Sequence, residues 1–232
     1  NKNFFNDLFA LDLANNHFGD VSHAKKIISQ FSKIIKKYKI KSKIKFQFRD
    51  LDTFIHKNFL NSNEKYVRRF IDTKLSDSQF QYVVKFIKKN KILTSCTPFD
   101  ENSVSKIEKM KFDIIKIASV SATDFNLHER AVKNNLPKII STGGVKILDI
   151  DKIVSFYKKK NQTFALMHCI SIYPTENKDL QINFIKNLVN RYRDVPIGWS
   201  THENPEDFRP STLAYSCGAR LIEKHIGIDS KK

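Results

Sequence analysis

Short β-branched or aromatic runs alternate with longer helical patterns along this chain, and this alternation limits the fold more than any other feature. Parallel strands need a crossover between them, and a helix is the usual one. The runs lie at 9–13, 44–48, 92–96, 114–117, 138–141, 164–169, 197–200 and 221–225. Segments 24–38, 76–90, 103–110, 124–134, 148–160, 182–193 and 207–217 carry apolar residues at i, i+3 and i+4, as outer helices do. No Pro/Gly/Ser-rich linker interrupts the series. Eight such units predict one α/β domain over residues 1–232, a closed (β/α)8 TIM barrel.

Two stretches depart from the repeat. Residues 50–74 are too many for a plain βα loop, which marks an insert or lid. The eighth run ends about seven residues before Lys232, so we expect the closing helix to be missing and the chain to be a fragment of a longer protein.

A formal charge of +17 raises the question of nucleic acid. The lysines, however, cluster at 33–45, 85–91 and 158–160, interleaved with Ile, Phe or Val at helical spacing, which describes solvated helix faces. Zinc-finger, RNP-like and basic-arm patterns are lacking, so the expected partners are anionic small molecules, with no nucleic acid. No run of about 18 apolar residues suggests a membrane span, and the first residues do not read as a signal peptide. Cys96, Cys169 and Cys217 are odd in number and unpaired in spacing, which fits a reducing cytoplasm and argues against a disulfide framework or a thiolate zinc site.

In a barrel of this kind the strand C-termini share one mouth, where the chemistry sits. Those ends read Asp12, Asn15, Asn16 and His17; Lys45 and Gln47; Thr97; Lys116 and Ser119; Ser141 and Thr142; His168, Ser171 and Tyr173; Ser200 and His202; Glu223 and His225. Inward lysines are costly unless they meet an anion. Lys45 and Lys116, with Thr97, Ser119, Ser141 and the Gly143-Gly144 backbone, would cradle phosphate and carboxylate. Any one of these hydroxyls could instead be an ordinary turn or cap residue. His202 and His225 end neighbouring strands, and two imidazoles so placed suit a divalent metal that keeps positions open for water and substrate. A lone strand-end histidine is more often just hydrogen-bonded; two matching positions change that balance.

The chain resembles the sialic acid synthases, which condense phosphoenolpyruvate with an N-acylated amino sugar. The likeness runs through Asp12-Leu13-Ala14-Asn15-Asn16-His17-Phe18-Gly19-Asp20, Lys45-Phe46-Gln47, Cys96-Thr97-Pro98-Phe99-Asp100 and Lys116-Ile117-Ala118-Ser119. It continues through Ser141-Thr142-Gly143-Gly144, Leu166-Met167-His168-Cys169, Tyr173-Pro174, residues 198–202 and Glu223-Lys224-His225. The resemblance implies that His202 and His225 hold manganese or magnesium. It also implies that Lys45, Thr97, Lys116, Ser119, Ser141 and Ser171 hold phosphoenolpyruvate, that Gln47 and Tyr173 face the sugar, and that Asp12, Lys45 and Lys116 are catalytic. It further implies a homodimer of the full-length protein, in which a C-terminal antifreeze-like domain, missing from this chain, completes the partner's sugar pocket.

The chain departs from the family pattern at Asp12 in place of Glu, Ser171 in place of Asn, Thr201 in place of Asp and Ser121 in place of Glu. These changes lie toward the sugar and the metal, so the donor site is more recognisable than the acceptor. The alternatives are a related ulosonate synthase that takes a phosphorylated sugar, which a further basic cluster at the acceptor end would favour, and a non-catalytic barrel that binds a ligand or partner.

Overall fold

The computed structural model describes residues 2–228. Its strands are β1 (Leu8–Asp12), β2 (Ser42–Phe48), β3 (Leu93–Pro98), β4 (Ile114–Ile117), β5 (Lys138–Ser141), β6 (Phe164–His168), β7 (Ile197–Ser200) and β8 (Leu221–His225). They pair in parallel in sequence order, and β8 closes on β1 to complete the barrel. The helices are α1 (Val21–Tyr38), α2 (Leu51–Phe54), α3 (Lys65–Asp72), α4 (Asp77–Lys89), α5 (Glu101–Lys109), α6 (Phe125–Ala131), α7 (Ile147–Lys159), α8 (Phe184–Arg191) and α9 (Arg209–Ser216). The expected barrel is thus observed. β1 starts and ends one residue earlier than expected, and β3 runs on to Pro98 because its pairing with β2 continues through Phe48↔Pro98. The expectation of a missing closing helix concerns residues beyond Ile228, outside those described.

Local chemistry sets the helix starts. Asp20 accepts from the Ser22 and His23 amides at 2.7 and 3.1 Å to begin α1, and Asp100 caps α5 through the Ser103 amide at 2.6 Å. Ser76 and Gln79 form a reciprocal capping box at α4. The 50–74 insert folds into α2, a 3-10 turn and α3 before α4 resumes the outer ring.

The apolar interior has two parts. The larger lies between sheet and helices, where Phe46, Ile87, Ile107, Tyr157 and Trp199 are wholly buried. The smaller fills the barrel's lower end with Leu8, Ile114, Ile139, Ala165, Met167 and Leu221 from the strands and Phe5 from below. These strand residues alternate with outward neighbours, so the next inward positions toward the mouth are Asp12, Lys43, Lys45, Lys116, Ser141 and Glu223. The apolar plug excludes water beneath, and the charges sit on top of it. Among the described residues no helix is long and apolar enough to cross a membrane, and Cys96, Cys169 and Cys217 are free.

Candidate active site

A cavity of about 290 Å³ opens at the C-terminal ends of the strands. Asp12, Lys45, Gln47, Thr97, Lys116, Ser119, Ser141, Ser171, His202 and His225 all line it, so ten of the eleven expected site residues converge. Tyr173, the eleventh, is exposed at the rim with its ring centroid 5.0 Å from that of His202. The structure corrects one strand-end reading: His168 points outward, its Nε2 3.1 Å from the Leu180 carbonyl and its ring beside Phe184 and Trp199. Alternation along β6 requires this, because its neighbour Met167 faces the barrel interior.

The charges at the floor of the mouth meet at Glu223. Its Oε1 accepts from Lys45 Nζ and Lys116 Nζ, both at 2.9 Å, and from the Ser200 hydroxyl at 3.1 Å. Lys45 Nζ also lies 2.9 Å from Asp12 Oδ2. Below them the fully buried Lys43 donates to Ser95 Oγ at 2.9 Å and lies 3.7 Å from Glu223 Oε2. The anion expected for the inward lysines is therefore, in this structure, an internal carboxylate. Burial disfavours the charge on Glu223, yet Lys116, Lys45 and Lys43 hold its carboxyl well below the usual range. Burial also works against Lys45, but Asp12 and Glu223 outweigh it and keep that ammonium charged. Lys116 is lowered by burial, with Glu223 opposing.

Lys43 is pulled down to about 7 by burial, which Glu223 only partly offsets. The unfolded chain, with lysine near 10.5, then binds more protons than the folded one between those values, so this residue makes stability rise with pH across that window. Urea unfolding at several pH values should show the rise, and Lys43→Met should flatten it.

Glu223→Gln should be more damaging, because among the described residues it leaves a group of buried lysines with only Asp12 as a near carboxylate. Breaking a buried pair from one side costs about 3–5 kcal/mol. Added inorganic phosphate should restore part of that loss, since an external anion can take the place of the carboxylate. Unfolding midpoints with and without phosphate would show it; a variant as stable as the parent would refute the role of Glu223.

Among the described residues, three buried polar atoms that line the cavity have no hydrogen-bond partner: Thr97 Oγ1, His202 Nδ1 and Glu223 Oε2. Such atoms are rare in folded proteins and point to a ligand. The serine wall is tightly built. Ser119 Oγ accepts from the Gly143 amide at 3.0 Å, and its hydroxyl also bonds the Cys169 thiol. A Cβ on Gly143 would lie 2.6 Å from Ser171 Oγ and 2.9 Å from Ser119 Oγ, so a side chain there would displace these hydroxyls.

Across the mouth the His202 and His225 rings stack with centroids 5.4 Å apart, and His225 Nδ1 lies 3.5 Å from Asp12 Oδ2. Among the described residues no three His, Cys, Asp or Glu side chains form a ready-made metal cage. Two imidazoles that leave the remaining positions to water and substrate are nonetheless a suitable donor pair. Burial, then His225, lowers His202 and favours the neutral ring a metal requires, and its Nδ1 has no hydrogen-bond partner among the described residues.

Sequence reasoning gave no role to Glu223, although it stood among the strand ends, and it missed Lys43. The signal for Lys43 was its position two residues before Lys45 on β2, hence on the same inward face. Glu203 was also missed. It anchors the loop after β7 by accepting from Thr201 Oγ1, Lys224 Nζ and, at 3.2 Å, Trp199 Nε1. Thr201, a noted departure, is thus tied to Glu203, while Ser121 is buried in a 3-10 turn and does not line the cavity.

Fold and site together define a (β/α)8 barrel whose mouth gathers buried lysines and a wall of hydroxyls beside paired imidazoles. The chain belongs to the NeuB family, whose model matches residues 35–232. It is 30% identical over 230 residues to the N-acetylneuraminate-9-phosphate synthase of Drosophila melanogaster, covering 95% of this chain and 60% of that protein. It therefore spans about three fifths of the length of that relative. Among solved structures, a Chromobacterium violaceum protein assigned as spore coat polysaccharide biosynthesis protein E superposes with a TM-score of 0.93 at 41% identity, covering 97% of this chain and 67% of that one. The N-acetylneuraminic acid synthetase of Leptospira borgpetersenii gives 0.83 at 29% identity over 95% and 73%.

Proposed function

We propose that this barrel condenses phosphoenolpyruvate with an N-acylated amino sugar of the mannosamine type, giving a sialic or other nonulosonic acid and phosphate. The observation that carries the reading is the floor of the mouth, where Lys45 and Lys116 sit under Thr97, Ser119, Ser141 and Ser171 in one cavity. Two ammonium groups and four hydroxyls suit a donor bearing both phosphate and carboxylate. The family membership and the named synthases among its relatives support the same reading.

In the proposed reaction C3 of phosphoenolpyruvate forms a bond to the aldehyde carbon of the open-chain sugar, whose oxygen takes up a proton. Water adds at C2, the C2–O bond to phosphate breaks, and a 2-keto acid and inorganic phosphate remain. Lys45 and Lys116 turn from Glu223 toward the donor's oxyanions and hold them in line, while Asp12 helps keep Lys45 charged. Thr97 offers an unpartnered hydroxyl to the same group, and Ser119 can turn its own toward it. Asp12, between Lys45 and His225, is the carboxylate placed to take a proton from the adding water. Gln47 and the exposed Tyr173 flank the sugar. His202 and His225 would hold a divalent manganese or magnesium ion, which when bound supplies Lewis-acid polarisation of the sugar carbonyl. The full-length protein, as a homodimer working in the cytoplasm on small molecules, would contribute whatever more the acceptor site needs.

The test is product mass. Incubation with phosphoenolpyruvate and a panel of amino sugars should release inorganic phosphate and a product that carries the three added carbons. Phosphate release without a sugar adduct, or neither, would refute condensation.

A further inference from the structure

Lys43 differs from the other charged groups at the floor of the mouth. It is wholly buried on β2, one inward position below Lys45 and outside the cavity lining. Its Nζ donates to Ser95 Oγ on β3 at 2.9 Å, a bond that a neutral amine makes as readily as an ammonium. Among the described residues its ion pair is with Glu223 alone, at 3.7 Å from Oε2, which is too long for a hydrogen bond. That oxygen is itself buried with no hydrogen-bond partner among the described residues. The two oxygens of Glu223 are thus unequally used. Oε1 takes Lys45, Lys116 and Ser200, while Oε2 faces a lysine that has not closed on it.

Donor binding would reverse this arrangement. Once Lys45 and Lys116 turn to the donor, Oε1 keeps only the Ser200 hydroxyl, and a buried carboxylate stripped of its cations is strongly destabilised. Lys43 is placed to replace them, since a movement of about 1 Å brings its Nζ within hydrogen-bond range of Oε2. The charges that face Lys43 come from four strands. Glu223 of β8 and Asp12 of β1 favour its ammonium, Lys116 of β4 and Lys45 of β2 oppose it, and burial outweighs them all to hold it at about 7. A bound phosphate and carboxylate, together with a Glu223 that has lost its other lysines, shift that balance toward the ammonium.

We propose that Lys43 is a positioning residue: when the donor binds, it takes up a proton from solvent and, as an ammonium, takes Glu223 over from Lys45 and Lys116, freeing both for the donor's oxyanions. One proton leaves a buffer acid and joins the Nζ lone pair, and no bond of the donor changes. The inference rests on the reading of the mouth as a donor site and adds a proton to the binding step.

Calorimetric titration of phosphoenolpyruvate in two buffers of different ionisation enthalpy counts that proton. At about pH 8 the donor's phosphate, which loses its second proton at about 6, is already ionised, so the uptake belongs to the protein. Wild type should take up about 0.5–0.9 proton per donor, and its affinity should therefore fall roughly three- to eightfold for each pH unit above that. Lys43→Met should lose most of the uptake and the pH slope, and should bind the donor about 10- to 100-fold more weakly near neutral pH, because Glu223 then has no replacement partner. Lys43→Arg, charged throughout, should also lose the uptake but keep its affinity at alkaline pH. Urea midpoints check that both variants are folded, and the wild-type count stands without either of them. Donor binding to wild type with no proton uptake, or uptake that persists in Lys43→Met, would overturn the proposal. If phosphoenolpyruvate does not bind, the donor reading fails by itself, and the same titration with sulfate, ionised throughout and taking part in no reaction, decides the role of Lys43. Sulfate-linked uptake that Lys43→Met abolishes supports it; sulfate bound without uptake, or not bound, refutes it.

Discussion

Replacing His202 or His225 with alanine is expected to lower turnover by at least about 10³-fold while leaving the barrel folded. The rings stand at the mouth, above the charged floor and well away from the apolar plug, and the His225 side chain is 39% exposed, so truncation removes little packing. What it removes, under the proposed metal site, is one of two nitrogen donors, and Lewis-acid stabilisation of developing charge is worth several kcal/mol, or a thousandfold and more. Far-ultraviolet circular dichroism and urea midpoints should match the parent within about 1 kcal/mol. Manganese affinity measured by calorimetry should fall in each variant. Full metal affinity together with wild-type turnover in both would refute the assignment of these histidines.

Lys116→Met is expected to weaken phosphoenolpyruvate binding by about 10²- to 10³-fold. Truncating one partner of a buried, hydrogen-bonded charge pair costs 2–5 kcal/mol, and each 1.4 kcal/mol is a factor of ten. Lys116 is 2% exposed with its ammonium on Glu223, so the variant loses a buried, paired charge at the floor of the mouth. Lys45→Met should also release Asp12, the second partner of Lys45, and should lower stability further than Lys116→Met does. Equilibrium binding of the donor at low and moderate salt, beside urea unfolding, separates the two effects. Unchanged donor affinity in both variants would move the anion site elsewhere in the barrel.

The barrel was legible because each strand segment is short, β-branched and followed by an amphipathic stretch, and because a parallel sheet admits few closures. Strand ends were less so. β3 runs through Thr97 and Pro98 where composition suggested a stop at Cys96, since pairing with β2 outweighs the local preference. Most of the mouth could be read from polar residues at strand ends. What could not be read was which residues neutralise which. Glu223 comes from β8 and its lysines from β2 and β4, a contact set that only closure of the sheet creates. His168 was placed in the mouth because a polar residue ends its strand, but counting two by two from Met167 puts it outside. Arg49 carried no motif; the structure stacks it on Phe70 and Phe99, which the fold brings from other segments.

The closing seam has a consequence for how the protein comes to exist. Asp12 pairs in register with His225, and the carboxylate that ties Lys45, Lys116 and Lys43 together arrives on the last strand. A nascent chain with seven strands made therefore holds interior lysines without their main counter-charge and two unpaired sheet edges at once. Docking of β8 relieves both in one step, after the loop-closure entropy of nearly the whole chain has been met. Half-built barrels are disfavoured by electrostatics as well as by missing hydrogen bonds, so partly assembled forms should be scarce at equilibrium, and competence to bind a donor should appear together with the last native contact.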